Sequence, residues 1–138
     1  MAEGCVFCLI RDGQIPSVKV FEDDRTMAFM DINPGNEGHA LAVTKAHAET
    51  IFDVDDADLG AVALTAKRLA RAVHAALRPD GLNLLQTNGA AAGNTVPHLH
   101  IHVLPRWNGD GKLRFWRPEP ADPTQLQQVA DRIRAAWE

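Results

Sequence analysis

The 138-residue chain has no apolar run approaching the roughly eighteen residues a membrane span requires. It also lacks a basic block: 14 Lys and Arg stand against 18 Asp and Glu, a formal net charge of −4. A protein that grips nucleic acid through its phosphates needs a positive face, so neither nucleic acid nor a membrane is an expected partner. Cysteine is scarce, with Cys5 and Cys8 alone. A chain of this length buries roughly two-thirds of its unfolded surface and needs no cross-links to fold. Internal repeats, low-complexity stretches and Ser/Gly-rich linkers are missing too, so residues 1–138 are expected to form one domain. The first residues, Met1 to Cys5, show neither the basic nor the apolar region of a secretory leader, which predicts a cytoplasmic location. In that reducing compartment, the spacing Cys5-x-x-Cys8 suggests metal binding or dithiol chemistry more than a structural disulfide.

What is present reads as an α+β fold. A helical turn through Cys8-Leu9-Ile10 is followed by two β-like stretches, Val18 to Phe21 and Thr26 to Met30, with turn chemistry in Glu22-Asp23-Asp24-Arg25 between them. A break over Asn33 to Gly38 precedes a third strand, Ala40 to Thr44. From Asp55 to Arg78, the residues Leu59, Val62, Ala66, Leu69, Val73 and Leu77 recur at steps of three and four, the stripe of an amphipathic helix. Asp55 or Asp56 can cap its start, and Pro79-Asp80-Gly81 cannot continue it. His74 falls on the flank of that stripe and receives no role. Strands are predicted over Leu82 to Thr87 and His98 to Leu104, joined by residues 88–97. In the tail, Leu126, Val129, Ile133 and Trp137 have helical spacing and predict a second helix, Pro123 to Trp137, docked on the body. Buried packing is the default expectation for Trp107, Trp116 and Trp137. Neighbouring strands with segregated helices imply an antiparallel sheet of about five strands.

The chemistry concentrates in His98-Leu99-His100-Ile101-His102-Val103-Leu104. Side chains alternate along a strand, which places the three imidazoles on one face and the apolar residues on the other. Convergence of all three on one ion is disfavoured, because the outer pair stand about 13–14 Å apart along an extended strand. A phosphoryl group suits them better. Imidazole is largely neutral near pH 7, so one ring can attack phosphorus without first losing a proton while another manages protons. The preceding Gly93-Asn94-Thr95-Val96 supplies backbone amides, a carboxamide and a hydroxyl that can cradle an anion without a lysine.

The run His-φ-His-φ-His-φ-φ, with φ apolar, is matched in full by residues 98–104, and on it the chain resembles the histidine triad (HIT) superfamily of nucleotide hydrolases and transferases. The likeness runs from Cys5 to about Trp107 and includes Ile15-Pro16-Ser17, Phe21-Glu22-Asp23-Asp24, Asp31-Ile32-Asn33-Pro34, Gly38-His39-Ala40-Leu41 and Lys45-Ala46-His47. It is strongest to the bacterial Hint-like branch. The resemblance implies a homodimer whose sheet continues across both subunits, acting on purine nucleoside 5′-phosphoramidates or related AMP esters. It implies His100 as the nucleophile that forms a nucleotidyl-histidine, His102 on the phosphate oxygens, His39 in support, and Asp31 on the ribose hydroxyls. Val6, Phe7, Ile10, Phe29 and Ile32 would line a purine slot, and Asn88, Asn94, Thr95 and Val96 would hold the phosphate or leaving group. A structural zinc on Cys5, Cys8, His47 and His98 is implied as well, with no catalytic metal required. The sequence departs from the family pattern at Asn94, where Gln is common, and at Thr44, where Pro is common. Two other readings stand beside this one: a dinucleoside polyphosphate hydrolase, and a module that binds purine nucleotides without turning them over.

Overall fold

The computed structural model describes residues 4–138, so of the stretch read as free of a leader, Met1 to Glu3 lie outside the described residues. In chain order the elements are α1 (Val6–Arg11), β1 (Lys19–Glu22), β2 (Thr26–Met30), β3 (Ala40–Thr44), α2 (Asp56–Leu77), β4 (Gly81–Leu85), a single 3-10 turn (Ala90–Ala92), β5 (His100–Arg106) and α3 (Pro123–Ala136). The five strands form one antiparallel sheet in the order β1-β2-β3-β5-β4. The expected α+β architecture is what the chain adopts. Among the described residues no helix is long and apolar enough to cross a membrane.

Side-chain size decides which face of the sheet takes the long helix. Ala28, Ala40 and Ala42 stand on one face together with Val103 and the adjoining Leu99, and their small bulk lets Val62, Ala66, Leu69 and Val73 of α2 approach closely. Each Val or Leu buried there contributes about 1.5–3 kcal/mol over its exposed state. The opposite face of β2 and β3 carries larger residues, Met27, Phe29, Leu41 and Val43, which pack on Cys5, Phe7 and Cys8 around α1. Both faces of these two strands are therefore covered. Alternation along β5 then sends Ile101 and Val103 toward α2 and leaves His100 and His102 on the α1 side.

Two connections fix how the strands enter the site. The β1–β2 turn is closed by Asp23, whose Oδ1 accepts from the Arg25 and Thr26 amides at 2.9 and 2.7 Å. Gly38, at φ +83°, turns the chain into β3 where a Cβ would come within 2.3 Å of Leu77 Cδ1. Helix α2 starts with Asp55 at its N-cap position, without the side-chain cap bond expected of it, and stops at Arg78 in the left-handed region at φ 52° just ahead of Pro79. His74 is exposed near the end of α2, as its flank position implied.

Three expectations need correction. His98 does not belong to the histidine strand, because β5 begins at His100 and His98 sits in the approach to it after Pro97. The tail forms the expected helix, α3, but it does not dock on the body: Leu126, Val129 and Ile133 are each 49–58% exposed. Its apolar spacing is real, and no other element among the described residues covers it. Trp116 and Trp137, expected to be buried, are 80% and 81% exposed, while Trp107 is half-buried beside the end of β5.

Candidate active site and metal site

His98, His100 and His102 divide between two clusters. The first gathers Cys5 and Cys8 at the start of α1, His47 from the loop after β3, and His98. Arg11 holds that loop to α1 by donating from Nη1 to the Lys45 carbonyl at 2.8 Å. His98 Nε2–H donates to the Thr44 carbonyl at 2.6 Å, which turns Nδ1 toward the sulfurs. Burial pushes the His98 pKa down to about 4, so the ring is neutral and its Nδ1 carries a lone pair. That nitrogen lies 3.3 Å from Cys5 Sγ, 3.5 Å from Cys8 Sγ and 3.2 Å from His47 Nδ1, and Cys8 Sγ is 3.4 Å from His47 Nδ1.

A tetrahedral ion with Zn–S of about 2.3 Å and Zn–N of about 2.0–2.1 Å separates its S and N ligands by about 3.5 Å and two nitrogens by about 3.3 Å. The four side chains already hold those spacings, and their ligand atoms all lie within 4.8 Å of one another. The cluster can therefore hold a metal ion without rearrangement. It is also shielded from solvent, since Cys5, Cys8 and His98 are buried and His47 is half-buried.

The second cluster opens on a cleft. His100 Nδ1–H donates to the His98 carbonyl at 2.6 Å, so the unprotonated Nε2 points away from the strand. Burial lowers the His100 pKa and keeps the ring a free base. Beside it His102, also pushed down to about 4 by burial and by the neighbouring His100 and His39, is neutral. Its proton can be located from its partners. The Gly35 amide donates to His39 Nδ1 at 2.9 Å, so His39 carries its proton on Nε2, which donates to His102 Nδ1 at 2.9 Å. His102 is left with a donor, Nε2–H. Asp31 Oδ2 stands 3.6 Å from His39 Nε2 and, after burial has lowered the His39 pKa, partly offsets that shift. Asp31, His39 and His102 also approach closely enough to hold an ion, but the facing nitrogens of the two histidines are already joined by a hydrogen bond.

The cleft is about 380 Å³. Val6, Phe7 and Ile10 line it from α1, Phe29 from β2, Asp31 and Ile32 from the following turn, and Thr95 and Val96 from the loop before β5, with His100 and His102 exposed to it. Ile15, Pro16, Met30, Asn33 and Leu41 complete the lining. Phe7 forms the partition between the two histidine clusters, with ring centroids 5.8 Å from His98 and 5.1 Å from His100. His102 and His39 also border a second, smaller cleft of about 250 Å³ with Leu85, Thr87, Ala92, Gly93 and Leu104.

Most of the residues expected to bind substrate meet in the first cleft, and two do not. Asn88 is occupied elsewhere, exchanging hydrogen bonds with the Gln86 amide and accepting from the Ile51 amide at 2.8 Å. Asn94 lies in the loop beside the clefts without lining either, and its Oδ1 is buried with no hydrogen-bond partner. The backbone contributors escaped sequence reasoning: the Gly35 amide and the Thr44 and His98 carbonyls orient the rings, yet none offers a side chain to recognise.

An antiparallel sheet backed by one long helix, with paired histidines of one strand opening on an apolar cleft, defines the histidine triad class. Comparison makes the assignment firm. The HIT domain family model matches residues 12–109, and the chain belongs to the HIT family. It is 38% identical over 135 residues to Protein hit of Bacillus subtilis, covering 96% of this chain and 93% of that one. It is 33% identical over 130 residues to adenosine 5′-monophosphoramidase hnt1 of Schizosaccharomyces pombe, covering 94% and 95%. Among solved structures, a HIT family member from Bacillus subtilis superposes with a TM-score of 0.92 at 34% identity over 99% of both chains. A zinc-bound histidine triad family protein from Mycobacterium smegmatis superposes with a TM-score of 0.75 at 33% identity, covering 97% of this chain and 98% of that one.

Proposed function

We propose that the protein hydrolyses purine nucleoside 5′-phosphoramidates through a covalent nucleotidyl-histidine at His100. The observation that carries this reading is the hydrogen bond from His100 Nδ1–H to the His98 carbonyl, which leaves a neutral Nε2 lone pair on the cleft side. The base would lie among Val6, Phe7, Ile10, Phe29 and Ile32. Asp31, whose Oδ1 already accepts the Asn33 amide at 2.8 Å, would offer its remaining lone pairs to the ribose hydroxyls. The fission yeast relative, adenosine 5′-monophosphoramidase hnt1, is named for such a substrate.

In the first step His100 Nε2 donates its lone pair to the α-phosphorus and the bond from phosphorus to the amine nitrogen breaks. The departing nitrogen takes a proton from a water molecule. His102 Nε2–H, with the Thr95 hydroxyl, stabilises the charge on the non-bridging oxygens, and the His98 carbonyl steadies the positive charge arising on the His100 ring. The hydroxide left behind then attacks phosphorus, the P–Nε2 bond breaks, and AMP leaves with His100 neutral again.

The second cleft carries no Lys, Arg, Asp or Glu. It fits an uncharged amine leaving group better than a second nucleotide's polyphosphate, which favours phosphoramidates over dinucleoside polyphosphates. We read the Cys5, Cys8, His47 and His98 cluster as a structural zinc site, on the ligand spacing and on the likeness to the zinc-bound mycobacterial protein. When bound, the ion would cross-link α1 to the approach of β5. We also propose a homodimer joined at β4, one of the two edge strands of the sheet, where Leu84 is 51% exposed. The test is a substrate panel. Release of AMP and amine from adenosine 5′-phosphoramidates, faster than cleavage of diadenosine polyphosphates, is expected. Tight AMP binding with no turnover of either class would replace the enzyme with a binding module.

A further inference from the structure

The hydrogen on His102 that faces the cleft depends on a turn, residues 33–38, whose own anchor lies outside the site. Asn36 supplies that anchor. Its Nδ2 donates to Asp110 Oδ2 at 3.0 Å and to the Pro105 carbonyl at 3.1 Å, tying the turn to the far end of β5. Its carbonyl accepts the His39 amide at 3.2 Å, and its chain neighbour Gly35 donates to His39 Nδ1. Asp110 is itself held rigidly: Arg106 grips it from Nη2 at 2.7 Å and from Nε at 3.0 Å, and the Trp107 and Lys112 amides donate to it at 2.9 and 3.0 Å. Those partners hold its carboxyl far below the usual carboxylate range, so it stays an acceptor at any physiological pH. Arg106 in turn reaches Asn83 Oδ1 on β4 at 3.1 Å.

We infer that Asn36, clamped by Asp110, is a positioning residue that fixes the proton on His102 Nε2 by holding the Gly35 amide against His39. The chain of bonds runs in one direction only. With Gly35 donating to Nδ1, His39 must carry hydrogen on Nε2; with that hydrogen given to His102 Nδ1, His102 must carry its own on Nε2. Release of the turn frees both rings to change tautomer and to rotate, and a cleft-facing donor becomes an acceptor in part of the population. Neither Asn36 nor Asp110 lines the first cleft, so substrate affinity is not their business. The inference rests on the reading of His102 as a donor to substrate.

The experiment is long-range ¹H–¹⁵N spectroscopy of the histidine side chains in the full-length protein, run for the parent and for Asn36→Ala. The parent is expected to show His39 and His102 each protonated on Nε2 alone. Asn36→Ala should show intermediate ¹⁵N shifts for both rings, unchanged shifts for His47 and His74, and kcat on an adenosine phosphoramidate about tenfold lower with KM held within about twofold. If Asn36→Ala does not fold, Asn36→Ser, too short to reach Asp110, carries the same test. A folded variant with both rings still locked on Nε2 would overturn the inference, as would a loss confined to KM. The ring shifts need no turnover, so an inactive parent protein that shows the locked tautomers would count against the proposed activity and leave this positioning role standing.

Discussion

Two histidine clusters stand at opposite ends of one short stretch of chain, and they differ in where their lone pairs point. At the Cys5, Cys8, His47 and His98 end, the facing atoms converge on one point in a closed, buried space. At the His39, His100 and His102 end, each nitrogen that faces a neighbour is matched donor to acceptor, and the one left over on each triad ring turns to the cleft. Both present imidazoles, and the first adds the two thiols of Cys5 and Cys8. Backbone partners make the difference: the Thr44 carbonyl turns His98 Nδ1 inward to the sulfurs, whereas the His98 carbonyl turns His100 Nε2 outward. A convergent set of acceptors suits a cation, and an ordered set of donors and acceptors suits an anion under attack.

The contrast breaks most sharply at His100. His100→Ala is expected to lower kcat/KM on adenosine phosphoramidates by at least about 10³-fold while AMP binds within about threefold of the parent, as measured by turnover and titration calorimetry. Cys8→Ala acts on the other cluster: metal analysis should find the ion lost, and denaturant unfolding should show about 2–5 kcal/mol less stability. His102→Gln, by comparison, should keep its full metal content.

Acid should expose what the two clusters share. His98 and His102 both bind protons more weakly in the fold, at about 4, than in the unfolded chain, at about 6.5. The unfolded state therefore takes up protons first, so stability is full above pH 6.5 and is lost as pH falls toward 4. For metal-free protein the two rings together would lose about 5 kcal/mol if fully shielded; contact with solvent reduces this, and a loss of at least about 2 kcal/mol is expected, read from urea midpoints at pH 7 and pH 4.5. A flat profile across that window would deny that burial holds these rings neutral. A further loss of stability is expected next to His39: Gly38→Ala forces a side chain into left-handed backbone against Leu77 and should cost about 1–3 kcal/mol in thermal unfolding, with metal content unchanged.

Much of this was legible in the chain because the signals were local. The stripe from Leu59 to Leu77, bounded by Asp55 and Pro79, predicted α2 to within a residue at each end. The histidine alternation correctly put His100 and His102 on one face. His98 was misplaced because its position is set by contacts with residues up to 93 positions away, Cys5 and Cys8 among them, which strand periodicity does not register. Likewise β4 ends at Leu85 rather than running to Thr87, since Gln86 and Asn88 bond to each other and lead the chain off the sheet. Period alone revealed α3 but not that its apolar side stays exposed. The tautomer relay was invisible, because its first donor is the backbone of a glycine.

The central claim is that a neutral Nε2 of His100 attacks the nucleotide. Its most direct test is alkaline quenching of enzyme mixed with adenosine 5′-phosphoramidate, followed by peptide mass mapping. An adenylyl adduct on the peptide bearing His100, absent from His100→Ala, is the expected result; steady turnover with no adduct, or an adduct on His39 or His102 instead, would contradict it.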